Sequence, residues 1–351
     1  MRAIKFIAPS RAADADAGDC FVRPRGKAEC LPGLINIGVQ KAGTGELQTW
    51  LSAHTEVTVH GGETHFFDGR KPIVCTQAKK RALLKLKYAH FLWRRRPQQS
   101  SEVKNRLLFE KTPAYFDRAS PQLVACAVPS ARLLVMLRNP ADRARSAYSM
   151  CQREMGKPWC TPPFEEALKR VFIGNWSDAS ALANASAAPR VSRSALRREP
   201  HLRRMIHMGQ YATFLRRWLD VFTPSRLRVL WLEQFKRDPF ACMLEVERFS
   251  GLSHHPYRSF ATRNAAGLWV VGKSKSSSAA TSSDAAAAAA AAAAKSPLPS
   301  SSSRNTALPS HQALLLLRAY YAPWQRRLRE LLVVTNTSLL PLDSSALSSV
   351  F

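Results

Sequence analysis

From Leu34 to Leu47 an apolar run, Leu34-Ile-Asn-Ile, enters the turn Gly-Val-Gln-Lys-Ala-Gly-Thr-Gly and then a helical pattern. Strand, glycine-rich turn and helix in succession constrain the chain more than any other feature. Such a turn aims backbone N–H groups and a helix N-terminus at an anion. Gly38 and Gly43 have the spacing of the nucleotide loop G-x-x-x-x-G-K-[ST], but Thr44 stands where that loop carries its lysine. The lysine, Lys41, lies inside the turn. This shift argues against a nucleotide triphosphatase and toward a different phosphate-bearing ligand. Taken alone, the loop also reads as an ordinary strand-to-helix turn with a surface lysine.

The rest of the chain repeats the alternation. Strands are expected at Leu34–Val39, Arg106–Glu110, Arg132–Leu137 and Leu227–Leu232. Helices are expected at Glu46–His54, Gln77–Trp93, Pro121–Val128, Pro140–Glu154, Phe164–Ile173, Gly209–Phe222 and Pro239–Phe249. Asp238 before Pro239 is a cap-and-start signal for the last of these. The expected fold is α/β, a P-loop-like, mostly parallel sheet flanked by helices. Residues 1–31 read as a loosely structured, flexible leader. Residues 32–351 read as one domain interrupted by a low-complexity insert at 274–303, with serine runs and ten alanines from Ala285 to Ala294. Ser186–Arg204 reads as a basic surface loop, and Leu308–Leu332 as a helix broken at Pro323.

The formal net charge is +27, from 52 Lys and Arg against 25 Asp and Glu. That excess attracts nucleic acid, anionic lipid or anionic glycans, and composition does not choose among them. The basic residues are scattered and no aromatic-interleaved RNA motif occurs, so no nucleic acid is expected as partner. None of the seven cysteines forms a C-x-x-C pair, and no metal is expected. Cys151 and Cys160 are spaced to close a small disulfide loop, an alternative that stands beside two free thiols. The odd count leaves at least one thiol unpaired. Sequons stand at Asn175, Asn184 and Asn336, and make a glycoprotein only of a secretory chain. No run approaches the ~20 apolar residues of a membrane helix, and no membrane anchor is visible.

Three further motifs fall in order. Gly62-Glu-Thr-His-Phe-Phe-Asp68 sets carboxylates and an imidazole beside apolar rings, a composition that can supply a base in a partly dry site. Glu110-Lys-Thr-Pro-Ala-Tyr115 follows an expected strand. Arg132-Leu-Leu-Val-Met-Leu-Arg138-Asn-Pro140 ends a strand on an arginine, with Ser146 eight residues on; guanidinium and hydroxyl can grip one phosphate. Lys41, Lys111 and Arg138 each lie just past the carboxyl end of an expected strand, where ligands of open α/β sheets bind.

Gln40-Lys-Ala-Gly-Thr-Gly45, E-x-H-F-F-D, E-K-T-P-x-Y and L-R-N-P-x-x-R-x-x-S-x-Y together resemble the carbohydrate sulfotransferases that use 3′-phosphoadenylyl sulfate (PAPS), nearest to the heparan sulfate glucosaminyl 3-O- and N-sulfotransferases. The resemblance covers about residues 33–272 and 302–332. It implies the sulfotransferase fold, PAPS as co-substrate and a carbohydrate acceptor that suits the positive charge, an anionic polysaccharide. It assigns Lys41, Ala42, Gly43, Thr44 and Gly45 to the 5′-phosphosulfate, and Arg138 and Ser146 to the 3′-phosphate. Glu63 becomes the base, with Lys41 and His65 catalytic beside it, and His65, Asp68 and Lys111 face the acceptor. It also places the family in the Golgi lumen. Two departures stand out. Gly45 replaces the arginine or threonine common in the family. A donor-closing K-G-R loop reads here as Ser302-Ser303-Arg304. A second reading keeps the fold and drops the chemistry, leaving a non-catalytic polyanion-binding module.

Overall fold

The computed structural model describes residues 5–22, 28–71, 73–94, 107–173, 189–271, 311–342 and 347. The insert, Ser302-Ser303-Arg304, and the sequons at Asn175 and Asn184 lie outside the described residues.

The chain opens with β1 (Phe6–Ile7), β2 (Cys20–Val22) and β3 (Ala28–Cys30), which pair as a small sheet. A Cys20–Cys30 disulfide joins β2 to β3. The expectation of a loose leader fails for these residues. Ala12, Ala15, Cys20 and Phe21 are fully buried, and the 3-10 turn Pro9–Asp14 packs against a later helix through Lys85, whose ammonium donates to the carbonyls of Ala13 and Ala15. The apolar residues are too sparse here to show a period, and a disulfide substitutes for a longer core.

The central sheet follows: β4 (Leu34–Gly38), then α1 (Thr44–Ala53), β5 (Val57–Val59), α2 (Ala78–Arg94), β6 (Leu107–Lys111), the short α3 (Tyr115–Arg118) and α4 (Pro121–Ala127), then β7 (Arg132–Leu137) and α5 (Pro140–Met150). After α6 (Phe164–Lys169), the pair β8 (Phe172–Ile173) and β9 (Arg190–Val191), α7 (Arg193–Arg198), α8 (Pro200–His207) and α9 (Tyr211–Leu219), β10 (Leu227–Trp231) completes the sheet. Its order is β10-β7-β4-β6-β5, and every pairing is parallel. All five residues of β4 are buried, as a central strand covered on both faces requires. The chain leaves β4 toward β5 and β6, then returns to place β7 and β10 on the other side. The reversal puts a crevice at the carboxyl end of β4.

The chain ends with α10 (Leu232–Arg237), α11 (Pro239–Ser250), the hairpin β11 (Ala261–Arg263) and β12 (Trp269–Val271), and α12 (His311–Thr335). Asp238 caps α11 through the N–H groups of Phe240 and Ala241. Helix α12 runs through Pro323 rather than breaking there. Burial of Tyr321, Leu328 and Leu332 on either side, and a Tyr321 hydroxyl bond to the Ile206 carbonyl (2.8 Å), offset the lost backbone bond. The segment read as a basic loop is instead helical over α7 and α8, because Leu202, Met205 and Ile206 form a buried face under the arginines. Two further disulfides, Cys75–Cys126 and Cys151–Cys160, leave Cys242 as a buried thiol. Among the described residues no helix is long and apolar enough to cross a membrane.

Candidate active site

The turn after β4 is shaped by what surrounds it. A Cβ on Gly38 would lie 2.5 Å from Phe116 Cβ, and one on Gly43 would lie 2.5 Å from Leu232 Cδ1. Gly43 also takes φ 81°, the left-handed region that favours glycine. Lys41 adopts φ 70° without that freedom, a strained geometry held by its neighbours. Ala42 and Thr44 are buried, whereas a Cβ on Gly45 would meet nothing within 4 Å. At the start of α1 the Glu46 and Leu47 N–H groups return to the Gly43 carbonyl (3.0 and 3.1 Å), whereas those of Thr44 and Gly45 come before the first such bond.

Arg138 follows β7 directly, and its Nη1 donates to the Lys41 carbonyl at 3.2 Å. Two cations contributed by distant parts of the chain thus meet on one loop. The surroundings fix Arg138. The Tyr211 hydroxyl donates to its carbonyl (2.9 Å), and the Asn139 side chain caps α5 through the Ala141 and Asp142 N–H groups. The Lys41 ammonium lies 3.4 Å from Met150 Sδ, at the end of α5. Ser146 is four residues before Met150, so both share one face of that helix. Lys41 and Arg138 therefore meet at the crevice, and Ser146 lies on the α5 face that ends at Met150.

The second cluster is at the end of β6. Lys111, the last residue of that strand rather than just past it, is paired with Asn36 of β4 and donates to Glu63 Oε1 at 2.9 Å. Glu63 Oε2 lies 3.3 Å from His65 Nε2, and His65 Nδ1 lies 2.8 Å from Asp68 Oδ2. Lysine, glutamate, imidazole and aspartate form one chain of contacts. A carboxylate oxygen only accepts, so the ring donates to each where it carries a proton. His65 takes φ 52°, a second strained residue in the same crevice.

Behind this chain sits a residue whose role the sequence hid. Glu110 is fully buried. Its Oε1 accepts from the hydroxyls of Thr112 (3.0 Å), Tyr115 (2.8 Å) and Thr64, and its Oε2 accepts from the Tyr88 hydroxyl. Thr64 is the residue between Glu63 and His65, and its N–H donates to Thr112 Oγ1 at 3.0 Å. Glu110 thereby ties the loop that carries Glu63 and His65 to β6, α2 and α3. Burial raises its carboxyl above the ordinary range, against the lowering effect of the four hydroxyls. Its sequence motif was visible, but nothing in the spacing marks it as a hub.

A cavity of about 590 Å³ opens beside Gln40. Its lining includes Arg143, Ala147 and Met150 of α5, then Cys151, Met155, Lys157, Pro158 and Trp159, and His201, Arg204 and Met205 of α8. Among the described residues no group of His, Cys, Asp and Glu gathers to hold a metal.

Residues 32–284 match the family model of the sulfotransferase domain. The chain belongs to the sulfotransferase family. This sulfotransferase is 27% identical over 247 residues to the human bifunctional heparan sulfate N-deacetylase/N-sulfotransferase 2, covering 69% of this chain and 25% of that protein. It is 28% identical over 223 residues to the mouse heparan sulfate glucosamine 3-O-sulfotransferase 3B1, covering 63% of this chain and 46% of that protein. The sulfotransferase thus spans between a quarter and a half of these relatives. Its fold resembles that of a solved sulfotransferase from Alicyclobacillus acidocaldarius, with TM-score 0.53 at 21% identity over 86% of this chain and 96% of that one.

Proposed function

We propose that this sulfotransferase moves a sulfuryl group from PAPS to a hydroxyl, or an amine, of an anionic carbohydrate. The observation that carries the reading is the 3.2 Å contact between Arg138 and the Lys41 backbone, beside the Glu63–Lys111 pair at 2.9 Å. The donor supplies an activated phosphosulfate: with a hydroxyl as acceptor, an S–O bond forms to the acceptor oxygen, the S–O bond to the 5′-phosphate breaks, and adenosine 3′,5′-bisphosphate leaves. The chain's own groups do the rest. The N–H groups of residues 42–45 and the Lys41 ammonium hold the 5′ end, and Lys41 offsets charge on the leaving oxygen. Arg138 and Ser146 hold the 3′-phosphate, by charge-assisted bonds. Glu63 takes the hydroxyl proton, oriented by Lys111 and His65, with Asp68 bracing the imidazole. This transfer calls on no metal. The donor-side role of Ser302, Ser303 and Arg304 stays an expectation from sequence.

The likeness to heparan sulfate enzymes and the net charge of +27 support an anionic polysaccharide as acceptor. Three disulfides among the described residues support an oxidising compartment such as the Golgi lumen.

Glu63→Gln keeps the size of the side chain and removes the base. Transfer of radiolabelled sulfate to a panel of glycans should fall at least about 100-fold, the usual weight of general base catalysis. Calorimetry should find the affinity for adenosine 3′,5′-bisphosphate unchanged. Normal turnover by the variant would remove Glu63 from the base role. Failure of the unaltered protein to bind the bisphosphate would favour a non-catalytic polyanion-binding module.

A further inference from the structure

The cavity beside Gln40 has a wall that the chemistry above does not use. Met150, whose sulfur touches the Lys41 ammonium at 3.4 Å, is followed at once by a π-helical turn, Cys151–Met155. The segment then returns to Cys160, where a disulfide closes it. Both cysteines are buried, while residues 152–158 are exposed. The segment is thus a clipped loop with fixed ends and a displayed middle. Inside the clip, the Gly156 N–H donates to the Cys151 carbonyl (2.9 Å) and the Cys160 N–H to the Lys157 carbonyl (3.0 Å). Turns of the π type recur at functional sites.

The lining has a distinct chemistry. Met155, Lys157, Pro158 and Trp159 come from the clip, and His201 and Arg204 face them from α8. No carboxylate lines the cavity. Arg204 is anchored by Asp117 at 3.0 Å, and Lys157 has no acidic partner among the described residues. Trp159 is set in place by His201, stacked at 5.5 Å, and by Tyr148, edge-on at 5.7 Å. A surface of cations, thioethers and one indole fits a ring with an apolar face and a negative substituent. The volume, about 590 Å³, is that of a ligand site.

We infer that the Cys151–Cys160 clip is the acceptor-selecting wall of this enzyme, presenting Lys157 to the carboxylate of a uronate-bearing sugar and Trp159 to its ring. The inference rests on the reading that Lys41 holds the sulfuryl group, because only then does Met150 place the wall beside the reacting atoms. Met150 links the two: it ends the helix that carries Ser146 and begins the clip.

The test uses the full chain loaded with adenosine 3′,5′-bisphosphate. The probes are an unsulfated tetrasaccharide of alternating glucuronate and N-acetylglucosamine, and the same tetrasaccharide with its carboxylates reduced to alcohols. Titration calorimetry should find the uronate form bound at least about tenfold more tightly, the scale of one charge-assisted contact. Lys157→Glu, an exposed substitution that leaves the core untouched, should erase or invert that preference. Cys151→Ser with Cys160→Ser should weaken both sugars at least about tenfold through the loosened loop. In both variants the affinity for the bisphosphate should stay as in the unaltered protein. An unchanged preference in Lys157→Glu, with bisphosphate binding intact, would overturn the inference and leave the donor site standing. Loss of bisphosphate binding in the unaltered protein would instead bring down the donor reading, and this wall with it.

Discussion

Removing Glu110 should reach the crevice without touching any group placed in it. In Glu110→Ala, Thr64, Thr112 and Tyr115 lose a common acceptor, but they can pair again. Thr64 Oγ1 already lies 2.5 Å from the Tyr115 hydroxyl and 3.2 Å from Thr112 Oγ1. Tyr88 is fully buried and donates to Glu110, so its hydroxyl is stranded. One orphaned buried hydroxyl costs about 1–3 kcal/mol, and the three weakened bonds add to it, while loss of a buried carboxylate offsets part. The net should be about 3 kcal/mol, or a Tm lower by roughly 4–6 °C for a domain of this size. Glu110→Gln separates charge from shape. Burial raises the Glu110 carboxyl above its ordinary 4.5. The folded chain therefore holds that proton more tightly than the unfolded chain does. Stability from this group is greatest below about 4.5, falls as pH rises through the raised value, and is flat above it. Denaturant melts between pH 4 and 8 should show this decline in the unaltered protein and a shallower one in Glu110→Gln. Equal pH slopes, or a Glu110→Ala melt within a degree of the parent, would refute the hub and with it the account of how Glu63 and His65 are positioned.

Two of the three glycines in the turn after β4 should behave oppositely. Gly43→Ala puts a Cβ 2.5 Å from Leu232 at φ 81°, and should lower stability by about 1–2 kcal/mol and weaken bisphosphate binding by calorimetry. Gly45→Ala meets open space at the start of α1 and should stabilise by about 0.5–1 kcal/mol in a thermal melt. Gly209→Ala would drive a Cβ to within 2.6 Å of the Tyr321 ring. It should loosen α12 from α8, costing about 1–3 kcal/mol in the same melt.

Much of the sheet was legible because its strands are buried runs bounded by cap-and-proline signals. The expected Arg132–Leu137 strand is β7 residue for residue, and Asn139-Pro140 and Asp238-Pro239 mark where helices begin. β5 escaped notice because three residues, Val57–Val59, are too few to form a period. The glycine-rich turn after β4 was readable from sequence, but the strain at Lys41 and His65 was not, since positive φ at such residues is imposed by tertiary packing. Met150 looks like a core residue until the fold brings it to Lys41, 109 positions away. The buried face of α8 was recoverable from the spacing of Leu202, Met205 and Ile206, and the surrounding arginines concealed it. The pairing of Cys20 with Cys30 and of Cys75 with Cys126 follows from which strands and helices become neighbours, which spacing does not reveal.

A pair of nucleotide titrations puts the donor site to its most direct trial. Adenosine 3′,5′-bisphosphate and adenosine 5′-monophosphate differ only in the group that Arg138 is held to grip. The unaltered protein should bind the bisphosphate about 10–100-fold more tightly, the worth of one charge-assisted phosphate contact. Arg138→Ala should reduce that ratio at least about tenfold, leaving only the part that Ser146 contributes, with the monophosphate affinity little changed. Equal affinities for the two nucleotides, or a preference undiminished in Arg138→Ala, would contradict a single pocket spanning both ends of the donor.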